Sequence, residues 1–265
     1  MGGNQSVLKQ KLEHAEKTAL LNISGEKLKE LPKEGLTLTR LKILDVSNNR
    51  LSELPPQLAA FASLKHLLAA SNDLQTVPAE LLQAWAALEI LDLRANRLQS
   101  LPASLGCVKL KKLLLAGNSL ASLPELGGLA KLVELDASNN ALTALPASIG
   151  GCSALQDLNV TSNRLAALPA EMGGCRRLKT LDVSGNTQLG AAGIPAELLR
   201  DTALARLWKD NCAIDAAELA ANEGWAAFSA RESARESKKL DSRRLETEGV
   251  VFHNRGEMGV SELGD

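Results

Sequence analysis

The sequence predicts an α/β solenoid, a curved right-handed coil with parallel strands on its concave face and short helical or irregular convex segments. Two observations support this prediction. Each repeating unit fits the frame L-x-x-L-x-L-x-x-N-x-L, which is too short to bury an apolar face without stacking on neighbouring units. Within that frame asparagine recurs every 22 to 24 residues, at Asn49, Asn72, Asn96, Asn118, Asn140, Asn163 and Asn186.

About nine units make up the predicted array, over residues 18–214. Seven of them follow the frame closely, and two degenerate units flank these seven. The first degenerate unit has Glu26 in the asparagine position, and the last has Cys212 there. Atypical terminal units are expected because the ends of a solenoid face water on one side.

Alternation of side chains predicts a short strand within each unit. In the unit that begins at Leu41, Leu44 and Val46 point inward, while Ile43 and Asp45 point out along the concave face. The asparagine ends the strand, and its amide is expected to bond backbone groups that would otherwise be buried without partners. The Leu-Pro pair that follows in most units begins the convex segment.

The four cysteines are expected to be structural. Cys107, Cys152 and Cys175 occupy a slot that other units fill with large apolar residues, so burial as small hydrophobic side chains is predicted. Cys212 takes the asparagine position of the last unit. Their spacing matches neither a metal site nor paired disulfides, and this favours a reducing compartment.

Both ends of the array are expected to carry caps. Residues 1–17 combine a lipidation motif with a capping helix, and apolar residues recur at helical spacing over 5–17. A C-terminal capping helix is predicted over 215–240, where Asp215 and Glu218 resemble a capping box. Residues 241–265 are expected to be a flexible charged tail. A bulged turn is expected after Asn186, where the repeat rhythm breaks.

Composition and motifs argue against several functions. The net charge is −1 and aromatic residues make up 2%, so neither a basic stripe nor a stacking platform for nucleic acid is expected. The chain has no apolar run near the roughly 20 residues that span a bilayer, and no secretory signal. Catalytic groupings, phosphate-binding loops and metal-ligand spacings are also missing, which predicts no enzyme activity, cofactor or small-molecule substrate.

The N-terminus fits the myristoylation motif M-G-x-x-x-[ST], with Gly2 as the acceptor and Ser6 in the required place. The alternative is an ordinary unmodified polar start. One myristoyl chain binds membrane only weakly, at about 10⁴ M⁻¹, and the neighbouring basic cluster is diluted by acids. The expected membrane association is therefore reversible.

The outward-facing columns of the strands form a candidate surface for a protein partner. Its N-terminal half mixes apolar residues with acids, and its C-terminal half is acidic up to a tryptophan, which suits a partner with basic and apolar anchors. The alternative is that these acids are simply solvated. The candidate residues are Ile43, Asp45, Leu68, Ile90, Asp92, Leu114, Glu134, Asp136, Asp157, Asp182 and Trp208.

The units over residues 18–214 resemble the intracellular leucine-rich-repeat family with 23-residue units. The Met-Gly start, the lead-in EKTAL and the stretch EGWAAFSAR resemble, more narrowly, the family of leucine-rich repeat-containing protein 57. That resemblance implies a lipid anchor on Gly2. The tail after Lys239 and the high alanine content depart from the family pattern.

These features together predict a cytoplasmic, non-enzymatic adaptor that binds a protein on its concave face and associates reversibly with membranes. Two alternatives remain open at this point. One is a regulatory or targeting subunit in phosphatase or small-GTPase signalling. The other is a structural component of a ciliary or cytoskeletal assembly.

Overall fold

A computed structural model of the chain describes residues 2–247, and describes side chains for residues 7–238. Within this range nine strands form one parallel sheet in chain order, and every strand pairs in register with the next. This confirms the predicted solenoid. The strands are β1 Leu20–Asn22, β2 Ile43–Asp45, β3 His66–Leu68, β4 Ile90–Asp92, β5 Lys112–Leu114, β6 Glu134–Asp136, β7 Asp157–Asn159, β8 Thr180–Asp182 and β9 Arg206–Trp208.

The convex side consists of short helical segments and irregular turns. Most segments begin directly after a proline, whose fixed φ suits the first residues of a helix. The α-helices are α1 Gly2–Thr18, α2 Ala79–Ala84, α3 Ala196–Asp201, α4 Ala216–Ala220 and α5 Trp225–Thr247. The 3-10 helices are Gly35–Thr37, Pro56–Ala60, Ala147–Gly151, Ala170–Gly174 and Ala191–Gly193. The units at Pro102 and Pro124 remain irregular.

The core is a continuous stack of leucines between the sheet and the convex segments. The slot that Cys107, Cys152 and Cys175 share with large apolar residues of other units lies in this core. Its polar side chains donate hydrogen bonds to backbone carbonyls of the preceding unit. The Trp85 indole donates to the Leu58 carbonyl at 2.9 Å, and the Cys107 thiol donates to the Leu82 carbonyl at 3.1 Å. Burial raises the pKa of Cys107 and Cys152 to about 12, so these thiols stay protonated. The predicted structural role of the slot cysteines therefore agrees with the structure.

Each strand is followed by a residue in the left-handed conformation, placed directly before the asparagine position. In three units this residue is glycine, at Gly25, Gly117 and Gly185, for which a positive φ carries no steric cost. In the other units a residue with a side chain adopts this left-handed conformation. These residues are Asn48, Ser71, Ala95, Asn139, Ser162 and Asn211. The conformation turns the chain away from the sheet, so that the next side chain points back into the coil.

The segment after Asn186 differs from the predicted bulged turn. It folds into the 3-10 helix Ala191–Gly193 and then α3, which begins after Pro195 and buries Leu198 and Leu199. The 3-10 helix takes up the extra length of this unit, and α3 occupies the place of the 3-10 helix Ala170–Gly174 in the preceding unit. Burial of the two leucines favours this helix over an open turn.

The C-terminal region also differs from the single helix predicted over 215–240. Asp215 caps α4, and its carboxylate accepts from the backbone N–H groups of Ala217 and Glu218. The chain then turns at Gly224 before α5. A Cβ atom at Gly224 would lie 2.4 Å from the Ala196 carbonyl oxygen, so the close approach to α3 requires glycine. Helix α5 continues through residues 241–247, which were predicted to be flexible; residues 248–265 lie outside the described residues.

The terminal helices cover the two ends of the coil. Leu8 and Leu12 of α1 pack against the first unit, where Lys11 also pairs with Glu26 at 2.6 Å. At the other end Phe228 of α5 is 2% exposed and lies against Trp225, with ring centroids 5.3 Å apart. None of the described helices is both long and apolar enough to cross a membrane.

Candidate interaction surface

The asparagine ladder links each unit to the one before it. The Asn163 amide nitrogen donates to the Ala137 carbonyl of the preceding unit and to the Val160 carbonyl of its own, both at 3.0 Å. Its oxygen accepts from the Leu142 backbone N–H at 3.0 Å. Equivalent bonds to the preceding unit's backbone recur at Asn49, Asn72, Asn96, Asn118, Asn140 and Asn186.

The ladder is most buried near its C-terminal end, where Asn186 is fully buried. Asn118 and Asn140 are half-buried. Cys212 ends the ladder, and its thiol donates to the Val183 carbonyl at 3.2 Å, which replaces part of an asparagine's bonding. The ladder therefore serves the coil itself and leaves the concave face to interact with other molecules.

The concave face presents two outward columns, the first and third residues of each strand. The first column brings Ile43, His66 and Ile90 side by side in the N-terminal half. The third column alternates there between acids and the leucines Leu68 and Leu114. These apolar side chains are partly exposed, so a shallow mixed surface faces the inside of the arc.

The acids of the third column have a structural role that the sequence analysis missed. Asp45 and Asp182 each accept a bond from the backbone N–H two residues later, at 3.0 Å. Asp136 does the same at 3.1 Å. Asn22 and Asn159 make the same bond in other units, so either residue type can supply the oxygen. The units with Leu68, Leu114 and Trp208 at this position turn without that bond. The recurring D/N-x-S/T pattern was the sequence signal for this turn.

Asp92 is the candidate residue least available to a partner. It is 5% exposed, and the Arg94 guanidinium binds both of its carboxylate oxygens, at 2.9 and 2.6 Å. The hydrogen bonds that Arg94 donates to the Asp92 carboxylate raise the pKa of Arg94. The pair is locally neutral, so Asp92 adds little negative charge to the concave face.

Two other acids of the surface also have partners. Glu134 pairs with Lys112 of the neighbouring strand at 2.6 Å, although both side chains stay substantially exposed. The Thr180 hydroxyl donates to the Asp157 carboxylate across the β7–β8 pair. A hydroxyl supplies no positive charge, so Asp157 keeps its negative charge.

The structure brings the C-terminal acids together in one depression of about 190 Å³. Trp208 forms its far wall and is 40% exposed, which is unusual for the largest side chain. The Arg206 guanidinium lies 5.0 Å from the centre of the Trp208 ring. We call this site the acidic depression; its acids are Glu134, Asp136, Asp157 and Asp182.

A second charged surface, which the sequence analysis did not single out, follows the edge where the strands begin. Exposed basic side chains line this edge, and we call it the basic rim. Glu89 is an acid directly before β4, and its pKa is lowered chiefly by the hydrogen bond from Lys111. The basic rim comprises Lys42, Lys65, Lys109, Lys111, Lys131, Arg176, Arg177 and Lys179.

Among residues 2–247, no group of three or more His, Cys, Asp or Glu side chains is arranged to hold a metal ion. The four cysteines are free thiols, and three of them are buried. Gly2 is the first residue of α1, and it lies outside the residues whose side chains the structure describes.

Family comparisons identify the repeats. The model described as "Leucine rich repeat" matches residues 62–120, and a second one, "Leucine Rich Repeat", matches residues 40–61. These units are leucine-rich repeats. No curated protein matches the chain significantly, so the narrower resemblance to the family of leucine-rich repeat-containing protein 57 stays an expectation from the sequence.

Solved leucine-rich-repeat structures are similar to the chain over most of its length. A leucine-rich-repeat protein of Leptospira interrogans is 29% identical over 75% of this chain and 44% of that one, with a TM-score of 0.61. YopM from Yersinia enterocolitica is 30% identical over 74% and 38% of the two chains, with a TM-score of 0.55.

A plant leucine-rich-repeat structure is similar as well. The ectodomain of the Arabidopsis thaliana receptor kinase GASSHO1/SCHENGEN3, solved in complex with CASPARIAN STRIP INTEGRITY FACTOR 2, is 30% identical, with a TM-score of 0.65. The similarity covers 73% of this chain and 24% of the ectodomain. The chain thus spans between about a quarter and somewhat under half of these three solved chains.

Proposed function

We propose that this protein is a non-enzymatic interaction scaffold whose concave face binds a segment of a protein partner. The observation that carries the proposal is the acidic depression, where at least partly exposed carboxylates share one depression with a solvent-exposed tryptophan. Exposed tryptophans are common among the residues that dominate binding energy. The leucine-rich-repeat ectodomain solved with CASPARIAN STRIP INTEGRITY FACTOR 2 gives a precedent for recognition by this fold.

The charge of the depression favours a basic partner. Among the described residues no ion pair involves Asp136, Asp157 or Asp182. The positive charge of Lys112 offsets only the charge of Glu134. Complementary charge steers association and excludes like-charged competitors. The occupant that fits best is an extended segment with lysine or arginine beside an apolar side chain that reaches Trp208.

Asparagine substitutions test this proposal without breaking the turns. Asn22 and Asn159 already occupy the same column and make the same backbone bond, so Asp136→Asn and Asp182→Asn remove charge and keep the fold. Peptides selected on the immobilised wild-type chain from a random display library are expected to be enriched in basic residues. Their affinity for the double variant is expected to fall about tenfold or more.

Matched variants complete the experiment. Trp208→Ala is expected to weaken the same peptides, while Glu171→Gln, an exposed charge change on the convex side, is expected to leave their affinity unchanged. Selected peptides without basic residues, or equal binding by the double variant and wild type, would refute the proposed concave site.

We propose separately that Gly2 carries a myristoyl group that gives reversible membrane association of a cytoplasmic protein. The support is the motif Met1-Gly2 with Ser6. Labelling with an alkyne-tagged myristate is expected for wild type and absent in Gly2→Ala. Gly3→Ala is the matched control because position 3 of the motif accepts any residue. Equal labelling of the Gly2 and Gly3 variants would contradict the proposal.

A further inference from the structure

A cleft of about 510 Å³ lies where the basic rim meets α5. Three alanines, from the turn before β9 and from α5, form its apolar walls. Five of its lining residues are basic and none is acidic, although Glu232 and Glu236 lie nearby on α5. The polar lining consists of Lys179, Thr180, Arg206, Arg231, Arg235 and Lys238.

Arg206 has an unsatisfied donor at this cleft. Its Nε is buried and has no hydrogen-bond partner, and it is the one such side-chain nitrogen or oxygen within the described residues. Buried polar groups are almost always bonded, so an exception calls for an explanation such as a ligand. The guanidinium is held against the Trp208 ring at 5.0 Å, which fixes its plane.

Arg231 contributes a second fixed cation. Its Nε donates to the Leu204 carbonyl at 2.8 Å, and a terminal nitrogen donates to the Leu199 carbonyl. These bonds hold the guanidinium between α5 and the last unit. Burial lowers the pKa of Arg231, and an anion nearby would offset that effect.

Arg235 lies one helical turn beyond Arg231 and lines the same cleft. It has no ion pair or hydrogen bond among the described residues, so its donors are available to a ligand. Three guanidinium groups therefore surround one small cavity. Arginine is the preferred residue for phosphate because its planar donors match two phosphate oxygens at once.

We propose that this cleft binds the phosphate group of a small phosphorylated ligand. A multiply charged anion is favoured over a single carboxylate because the guanidinium groups of Arg206, Arg231 and Arg235 line the same cleft and no acid lines it. The cleft's volume falls within the range of small-ligand pockets, about 300–1,000 Å³. The same chemistry is offered by a free phosphorylated metabolite and by a phosphorylated lipid headgroup.

Titration calorimetry on the full chain tests the site. The probes are inorganic phosphate, inositol hexakisphosphate, and phosphatidylcholine vesicles with and without phosphatidylinositol bisphosphate, all at one ionic strength. Binding of the soluble probes alone identifies a free ligand, and binding confined to the phosphoinositide vesicles identifies a lipid headgroup. Either outcome supports the cleft if the variants below respond as expected.

Arg235→Gln is expected to weaken the bound probe about tenfold, equivalent to about 1.4 kcal/mol. Arg206→Lys keeps the charge and removes the buried Nε donor, so a similar loss is expected. Arg177→Gln is the control, since it removes one charge from the basic rim outside the cleft. Circular dichroism and thermal unfolding verify that each variant folds.

Two results would overturn the proposal. The first is an equal loss of affinity in Arg177→Gln and Arg235→Gln, which would indicate general attraction to the basic rim. The second is the absence of binding by folded wild type to every probe. The concave proposal does not depend on either result, because its variants lie in the acidic depression and its probes are basic peptides.

Discussion

At the residue scale, one amide side chain per unit joins neighbouring coils. Asn163 satisfies two carbonyls and one N–H that belong to two different units. A buried backbone group that loses its partner costs about 1–3 kcal/mol. The side chain therefore acts as a cross-link between units, and its recurrence follows from the recurrence of the same unpaired backbone groups.

Asn163→Ala is expected to lower the free energy of unfolding by at least about 1–3 kcal/mol, because several backbone groups lose their partner. Urea unfolding followed by circular dichroism measures the change. Asn163→Cys is expected to cost less, since Cys212 donates one equivalent bond in the last unit. If Asn163→Ala were as stable as wild type, water would replace the hydrogen bonds of the lost amide at no cost in free energy.

The buried thiols give a second prediction at this scale. The pKa of Cys175 is raised to about 11, and those of Cys107 and Cys152 to about 12, from an ordinary value of 9.0. Between pH 9 and those values the folded chain keeps protons that the unfolded chain releases. The free energy of unfolding is therefore fully retained below pH 9 and expected to fall above it.

Urea unfolding at about pH 8 and about pH 10 tests this dependence. Cys107→Ala is less stable overall because it leaves a cavity, but its stability is expected to change less between the two pH values. An unchanged pH dependence in that variant would show that other groups cause the loss.

At the element scale, convex segments of neighbouring units approach most closely at glycines. A Cβ atom at Gly150 would lie 2.3 Å from the Glu171 carbonyl oxygen, and one at Gly174 would lie 2.5 Å from the Gly150 carbonyl oxygen. Side chains at these positions would push neighbouring segments apart. Gly150 and Gly174 therefore set the spacing of the 3-10 helices Ala147–Gly151 and Ala170–Gly174.

Gly150→Ala is expected to destabilise the chain by about 1–3 kcal/mol, the usual cost of overpacking. Gly128→Ala is the matched control, because a Cβ atom there meets nothing within 4 Å. Differential scanning fluorimetry should show a lower melting temperature for the first variant and little change for the second. Equal shifts would mean that loss of backbone flexibility, and not the close approach, decides the effect.

At the scale of the whole molecule, each unit contacts only its neighbours, so the ends are protected by the terminal helices. Phe228 is nearly fully buried where α5 covers the last units. In a linear array of this kind, stability is close to a sum of units and nearest-neighbour contacts. Damage at one end should therefore spread only a short distance along the sheet.

Phe228→Ala is expected to cost about 3–5 kcal/mol locally, the usual range for a buried aromatic residue. Hydrogen exchange should accelerate at the amides of β9 and β8 and stay unchanged at β2. Glu236→Ala, an exposed change on the same helix, serves as the control. Uniform acceleration along all nine strands would indicate a single cooperative core instead.

The sequence alone determined the number of strands, their order, the inward leucines and the position of the asparagines. These features follow from a repeating local pattern and from contact between adjacent units, which spacing along the chain already specifies. Apolar residues at helical spacing and a capping box also predicted a helix at each end, although the turn at Gly224 depended on packing against α3.

The tertiary structure decided which charges are available for binding. Asp92 looked equivalent to Asp136 in the sequence, yet the geometry of Arg94 neutralises it. The cleft of Arg206, Arg231 and Arg235 joins a residue of β9 to residues of α5 that lie at least 25 positions further along the chain. Such a juxtaposition depends on how α5 docks on the last unit, and the repeat pattern does not encode that docking.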